Sequence, residues 1–312
     1  MAGTPLLTMV YRPDDFAPMY LRDATEELLS VSSDAAERAG FRFRILPAGE
    51  LLPASASRPQ LWHQGEDLLQ TRQFFQVDDF SWDPQTGHHL KAVRRVVQAS
   101  DSILLNQSFR GAEHLATDKL AIVQYATRMG LHTPATVAIP FGRYARMVLP
   151  LVEQQIGSGP YVVKPREMGM GFGVVRVDGI QPLSSTIDVV GQTGMGYIVQ
   201  PFLANAGDLR VYVIEGRVIA TQHRVPKAGM YLANVSQGAT SAPDLRDPEA
   251  DRLSLQIAES LGAACLQVDW LLTEQGPVLN EWSTGFGGFS ALPEPQRTRV
   301  SDALFGWARR LY

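Results

Sequence analysis

The sequence predicts a mixed α/β fold, an open α/β domain followed by α+β lobes. Three observations carry this prediction. A strand, an amphipathic helix and a second strand open the chain between Pro5 and Leu46. Two apolar hairpins with glycine at the turn occupy the later part, one around Glu215-Gly216 and one around Glu274-Gln275-Gly276. Helical stretches closed by Gly130 and Gly262 separate the strands.

Taken in order, Pro5–Val10 reads as the first strand and Asp23–Gly40 as a helix with Asp23 as its N-cap. Phe41–Leu46 is the second strand. Pro53–Pro59, rich in Ser, Ala and Pro, reads as a loop. Ala92–Gln98 has helical spacing and Ser102–Leu105 reads as a buried strand. These elements form an expected N-terminal α/β domain, residues 1–110. A second unit, 111–195, starts with a helix capped by Thr117, with Leu120, Val123 and Ala126 on one face. Strands follow at Ala135–Ile139, Tyr161–Lys164 and Val174–Val177. A third unit, 196–312, opens with the strand Tyr197–Gln200. It continues through the hairpin Leu209–Ile214 and Arg217–Arg224, the helix Pro248–Leu261 and the hairpin Ala264–Leu272 and Pro277–Trp282. It ends in an amphipathic helix, Pro295–Leu311.

Composition narrows the function class. The 312 residues are 45% hydrophobic and 19% charged, the balance of an ordinary globular chain, and too many for one small core. The net charge of −4 and the lack of a Lys/Arg run argue against a nucleic-acid partner. Apolar runs such as Ile103-Leu104-Leu105 are too short to cross a bilayer, and Met1–Arg12 lacks the features of a signal peptide, so no membrane partner and a cytoplasmic location are expected. The single cysteine, Cys265, excludes an intrachain disulfide and sits among apolar residues as a buried thiol. His88-His89 has no metal-ligand spacing and reads as a surface pair.

Several groups of residues carry chemistry. Lys164-Pro165 ends a strand and leads into Gly169-Met170-Gly171-Phe172-Gly173, a loop with glycine at alternate positions. Such a loop lets backbone N–H groups approach phosphate oxygens, and a lysine beside it adds a point charge. Taken alone, it is more often a simple turn. The spacing is neither a P-loop, which needs Gly-Lys-Ser/Thr, nor a dinucleotide fingerprint, which needs a helix next. Asp269 and Glu281 lie twelve residues apart on the two strands of one hairpin. Pairing around Gln275 sets them face to face, with Ser283 two positions on, an oxygen cage suited to Mg²⁺. Arg210 and Arg224, with Asp208 and Asn234, sit on and after the other hairpin, where two guanidiniums can neutralise a phosphoryl group. Each arginine alone is compatible with a surface salt bridge. The order of lysine, glycine loop, arginine pair, asparagine and paired carboxylates is much harder to obtain by chance.

From Ile103 to Ser290 the chain resembles the ATP-grasp superfamily, in its RimK-like ligase branch. Asn106, Asp118-Lys119 and Thr133-Pro134-Ala135-Thr136 resemble that branch's first nucleotide-binding segment. Val162-Val163-Lys164-Pro165 and the Gly169–Gly173 loop resemble its second lysine and phosphate-covering loop. Val199-Gln200-Pro201-Phe202-Leu203 resembles the hinge that holds adenine, and Asp208-Leu209-Arg210-Val211 the Asp-x-Arg segment. Arg224 and Asn234 match the following phosphate and substrate contacts; Val268-Asp269 and Glu281 match the metal carboxylates. Family members often carry Glu where this chain has Pro201 and usually Asn where it has Ser283.

The resemblance implies an ATP-grasp fold behind an N-terminal open α/β (pre-ATP-grasp) domain. It implies ATP and Mg²⁺ as cofactors, with Mn²⁺ as a substitute. Lys119, Lys164, Gly169, Gly171, Gly173, Gln200, Phe202, Leu203 and Asp208 would bind nucleotide. Arg210, Arg224 and Asn234 would serve catalysis, and Asp269, Glu281 and Ser283 the metal. The implied activity is amide formation between a carboxylate and an amine through an acyl phosphate, with amino acids or small peptides as substrates. Two rivals stand beside it: a ligase that tailors or macrocyclises a ribosomal precursor peptide, and a nucleotide-binding regulator without turnover. Relatives that associate through their lobes point to a homodimer. His223 and Tyr231 are expected to be structural, and Gly285–Phe289 to shape an acceptor pocket or a packing turn.

Overall fold

The computed structural model describes residues 3–12, 29–234, 239–243, 245–284 and 288–312. The first six residues of the helix expected over Asp23–Gly40 lie outside the described residues; residues 29–38 are helical. The chain divides into two compact units. One comprises Met1–Arg110, Ala263–Leu266 and Thr284–Tyr312, the other Gly111–Gly262 and Gln267–Ser283.

In the first unit, strand β1 (Leu6–Tyr11) is buried on both faces, as suits a central parallel strand. It pairs in parallel with β2 (Arg42–Pro47). A small antiparallel sheet follows, made of β3 (Leu52–Ser55), β4 (Pro59–His63) and β5 (Glu66–Asp67). The segment expected as a loop over Pro53–Pro59 is therefore largely a hairpin. Its prolines are tolerated because β3 is an edge strand and Pro59 opens β4. β6 (Phe74–Val77) takes the other side of β1, and β7 (Ile103–Leu104) lies beside β6, giving the parallel order β2-β1-β6-β7. The helix Pro84–Gln98 starts earlier than its apolar spacing shows, because Asp83 caps it by accepting from Thr86 N. It packs Leu90, Val93 and Val97 against Val10, Phe75 and Val77. The C-terminal helix Gln296–Arg309 belongs to this unit: Arg38 donates to Asp302 and Ser301, and Phe305 meets Phe289 edge-on. Of the Gly285–Phe289 segment, 285–287 lie outside the described residues and Phe289 is buried.

In the second unit, Asp118 rather than Thr117 caps the helix Lys119–Arg128. Its carboxylate accepts from Leu120 N and is gripped by Arg166, a stronger acceptor than a hydroxyl could be. A four-stranded sheet has the order β10-β9-β11-β8, with β8 (Val137–Ile139), β9 (Tyr161–Pro165), β10 (Val175–Val177) and β11 (Tyr197–Pro201), all antiparallel. The helices Leu149–Ile156 and Ile180–Val190, which the sequence reading passed over, place Val152, Leu183 and Ile187 in one core with Val163 and Val199. A five-stranded sheet follows, ordered β14-β13-β12-β15-β16. Its strands are β12 (Asp208–Ile214), β13 (Arg217–Val225), β14 (Thr240–Pro243), β15 (Cys265–Thr273) and β16 (Gly276–Ser283). The turn between β12 and β13 places Glu215 at φ 48 and Gly216 at φ 69, the paired positive φ of a tight hairpin. The helix Pro248–Leu261 is capped by Asp247 and ends at Gly262 in the left-handed region. Among the described residues no helix is long and apolar enough to cross a membrane.

Candidate active site

The site lies within the second unit, in a cleft lined by residues of both its sheets. Lys119 enters from the first turn of its helix. It lies 2.9 Å from Glu281 Oε2 and also donates to the Met168 carbonyl. Lys164 projects from β9 and donates to Asn280 Oδ1 at 3.0 Å. Burial lowers its pKa to about 8, with Glu281 partly restoring it.

Asp269 and Glu281 are direct cross-strand partners on β15 and β16. The register then passes to Trp270 opposite Leu279, so β16 carries one extra residue there, Asn280. This bulge lets Asn280 and Glu281, adjacent in sequence, both line the cleft. Regular alternation would have sent one of them to the far face.

A buried charge network backs this pair. Arg210 donates from Nε and Nη2 to the two oxygens of Asp269, each at 2.7 Å. Arg224 makes the same fork to Asp208, at 2.6 and 2.7 Å, and reaches Asp269 Oδ2 at 2.8 Å. Asp208 and Arg224 are cross-strand partners on β12 and β13, which fixes the fork. Burial opposes ionisation of Asp269, but Arg210 and Arg224 outweigh it and hold the carboxyl well below the usual range. Burial likewise opposes ionisation of Glu281, and Lys119 and Lys164 keep it below its ordinary value against Asp269. Burial pushes Asp208 up against the pull of Arg224.

The glycine loop lies against the segment after β13. Gly171 has φ +74, and a Cβ there would overlap Asn234 Oδ1. Gly173 has φ +68. Tyr231 Oη donates to the Val174 carbonyl at 3.0 Å, tying the two segments together. At the hinge, Gln200, Pro201, Phe202 and Leu203 line the cleft. Gln200 is buried and donates from Nε2 to Thr136 Oγ1 at 2.7 Å. The Arg176 guanidinium lies 4.2 Å from the centre of the Phe202 ring.

Lys119, Lys164, Gly169, Gly171, Gln200, Phe202, Leu203, Asp208, Arg224, Asn234, Asp269 and Glu281 thus line one cleft. Arg210 stands behind it on Asp269, and Gly173 and Ser283 are outside its lining; Ser283 pairs with Gln267. Among the described residues no three His, Cys, Asp or Glu side chains gather tightly enough to cage a metal. Two facing carboxylates and the Asn280 carbonyl are all-oxygen donors. They suit a hard cation such as Mg²⁺ that takes its other ligands from phosphates and water. Four cations and three carboxylates converge here, an excess of positive charge suited to a polyphosphate.

Residues 116–288 match the family described as the RimK-like ATP-grasp domain, more than half of the chain. The chain belongs to the RimK-like ATP-grasp family. It is 29% identical over 262 residues to a "Probable alpha-L-glutamate ligase" of Hydrogenovibrio crunogenus, covering 81% of this chain and 82% of that one. A protein of the same name from Trichodesmium erythraeum is 30% identical over 172 residues, 54% of this chain and 56% of its own length. The fold is similar to the crystal structure of D-cycloserine synthetase DcsG, with a TM-score of 0.68, 14% identity and coverage of 98% of this chain and 100% of that one.

Within this RimK-like ATP-grasp unit, sequence reasoning misses Asn280 and Met168 and gives Thr136 no role of its own. Asn280 had no readable signal, because a bulge in one strand is invisible to alternation. Thr136 was noted only for resemblance, and its bond to Gln200 joins residues 64 apart. Tyr231 fastens the glycine loop and also lines the cleft. His223 bonds the Ala206 carbonyl and stays out of the lining.

Proposed function

We propose that this chain is an ATP- and Mg²⁺-dependent ligase that joins the carboxylate of an amino acid or short peptide to an amine through an acyl phosphate. The observation that carries the reading is the convergence of Lys119, Lys164 and Arg224 with the facing carboxylates Asp269 and Glu281 under a glycine loop. Family membership and the two relatives named as glutamate ligases support amino-acid substrates.

In this reading the four-stranded sheet, which runs on to Pro201, and the five-stranded sheet, which ends at Ser283, are the two lobes that hold ATP. Lys119 and Lys164 hold phosphate oxygens. Asp269 and Glu281, with Asn280 beside them, would hold Mg²⁺, and Mn²⁺ would fit the same oxygens. A metal held there would supply charge neutralisation to the phosphates. Arg224 faces the acyl phosphate, while Arg210 holds Asp269 in the ionised form the metal needs. Gly169–Gly173, fastened through Tyr231, keeps water from the activated acyl group.

The test is release of ADP and phosphate from Mg-ATP across a panel of carboxylate–amine pairs and precursor peptides. The expected result is pair-dependent release and a product lighter by one water than the sum of its substrates. Glu281→Ala should lose on the order of 3 kcal/mol of barrier lowering, 10²-fold or more in rate. Nucleotide binding without release for every pair and peptide would overturn the ligase reading. A product formed only with precursor peptides would move the activity to peptide tailoring.

A further inference from the structure

Base selection at the hinge rests on the nucleotide reading of the cleft. Val162, Pro134, Leu203 and Leu271 give the cleft lining an apolar part. Gln200, opposite Val162 on the neighbouring strand, is an amide in the same lining. An aromatic base that leaves water for this stretch can therefore be read by the end of the Gln200 amide presented to it.

Which end that is follows from proton counting. Thr136 Oγ1 donates to the Pro134 carbonyl at 2.8 Å. A hydroxyl has one proton, so Thr136 can only accept from Gln200. The amide must therefore turn its NH₂ to Thr136, as the 2.7 Å bond from Nε2 records. Oε1 is the end left over, and among the described residues nothing donates to it. The reversed amide would set Oε1 against the lone pairs of Thr136, or strip the Pro134 carbonyl of its bond. We infer that Thr136, from outside the cleft lining, is a positioning residue for base selectivity: it fixes Gln200 as an acceptor, which favours a purine with a 6-amino group over one with a 6-oxo group.

ADP and IDP differ at that position and need no turnover, so their dissociation constants, measured calorimetrically with MgCl₂, provide the test. The full-length chain should bind ADP about tenfold or more tighter than IDP, the worth of one hydrogen bond to a buried acceptor. Thr136→Ser, which keeps the hydroxyl, should retain that ratio. In Thr136→Val the amide is free to present either end, and the ratio should collapse toward one while ADP still binds. A Thr136→Val protein with the wild-type ratio would overturn the inference, including one in which both affinities fall together, because that is a packing loss. A wild type that binds ADP and IDP equally overturns it too and leaves the nucleotide reading standing. A wild type that binds neither overturns both.

Discussion

Lys164 is 5% exposed and keeps its charge against burial, with Asn280 as its hydrogen-bond partner. Its proton leaves the folded chain near pH 8 and the unfolded chain only near the ordinary 10.5. Between those values the unfolded state binds more protons, so this group makes stability rise with pH across the window. Nucleotide affinity should move the other way, because a neutral amine offers phosphate no charge. ADP affinity should fall by up to about tenfold per pH unit above 8, one proton per binding event. In Lys164→Met that slope should be absent; calorimetric titration from pH 7 to 9.5 reads both. The Arg224 fork makes a second prediction at this scale. Arg224→Met leaves Asp208 and Asp269 buried without it and should cost about 3–5 kcal/mol in urea unfolding. Adding Asp208→Asn should recover part of that loss, since the uncompensated charge rather than the missing contact dominates. A double variant no more stable than the single would refute this account.

At the scale of elements, the cleft depends on two irregular pieces of backbone. The glycine loop needs positive φ at Gly171, where a side chain would also meet Asn234. Gly171→Ala should therefore cost about 1–3 kcal/mol of local strain. The expected signature is weaker ADP binding with an unchanged melting profile elsewhere. Gly171→Ala with Asn234→Ala should regain part of the affinity, because the overlap goes while the φ strain stays. Equal affinities for the single variant and wild type would mean that the loop does not cover the nucleotide. The bulge in β16 is the other irregular piece. Asp269 and Glu281 could be read as facing partners from their spacing about the turn, and they are partners. Asn280 could not, because two-residue alternation holds only where the ladder is regular. The helix caps show the same limit: Asp118 and Thr117 both suit an N-cap, and the tertiary contact with Arg166 accompanies the acidic one.

At the scale of the whole molecule, the first unit is assembled from three separated stretches of chain. Its C-terminal helix buries Val300, Leu304, Phe305 and Trp307. Each such side chain contributes about 1.5–3 kcal/mol on burial. A chain ended at residue 295 should therefore lose cooperative unfolding of the first unit and bind a hydrophobic dye, whereas full-length protein should not. Cooperative melting of the shortened chain at the full-length temperature would contradict this.

The sequence by itself determined the opening strands, the strands and helices around the cleft other than Leu149–Ile156 and Ile180–Val190, the glycine-containing hairpin turns and the facing of Asp269 and Glu281. It also held the family resemblance in Lys119, Lys164 and the glycine loop. These follow from local rules: turn chemistry, caps and side-chain period act over a few residues. Tertiary structure alone decided the bulge that brings Asn280 to Lys164 across 116 residues, the fork of Arg210 and Arg224 on Asp269, the Thr136–Gln200 bond and the place of the C-terminal helix. Each of these is a contact between distant stretches of chain. Its energy depends on packing and on which buried groups need partners, and no local pattern in the sequence encodes that.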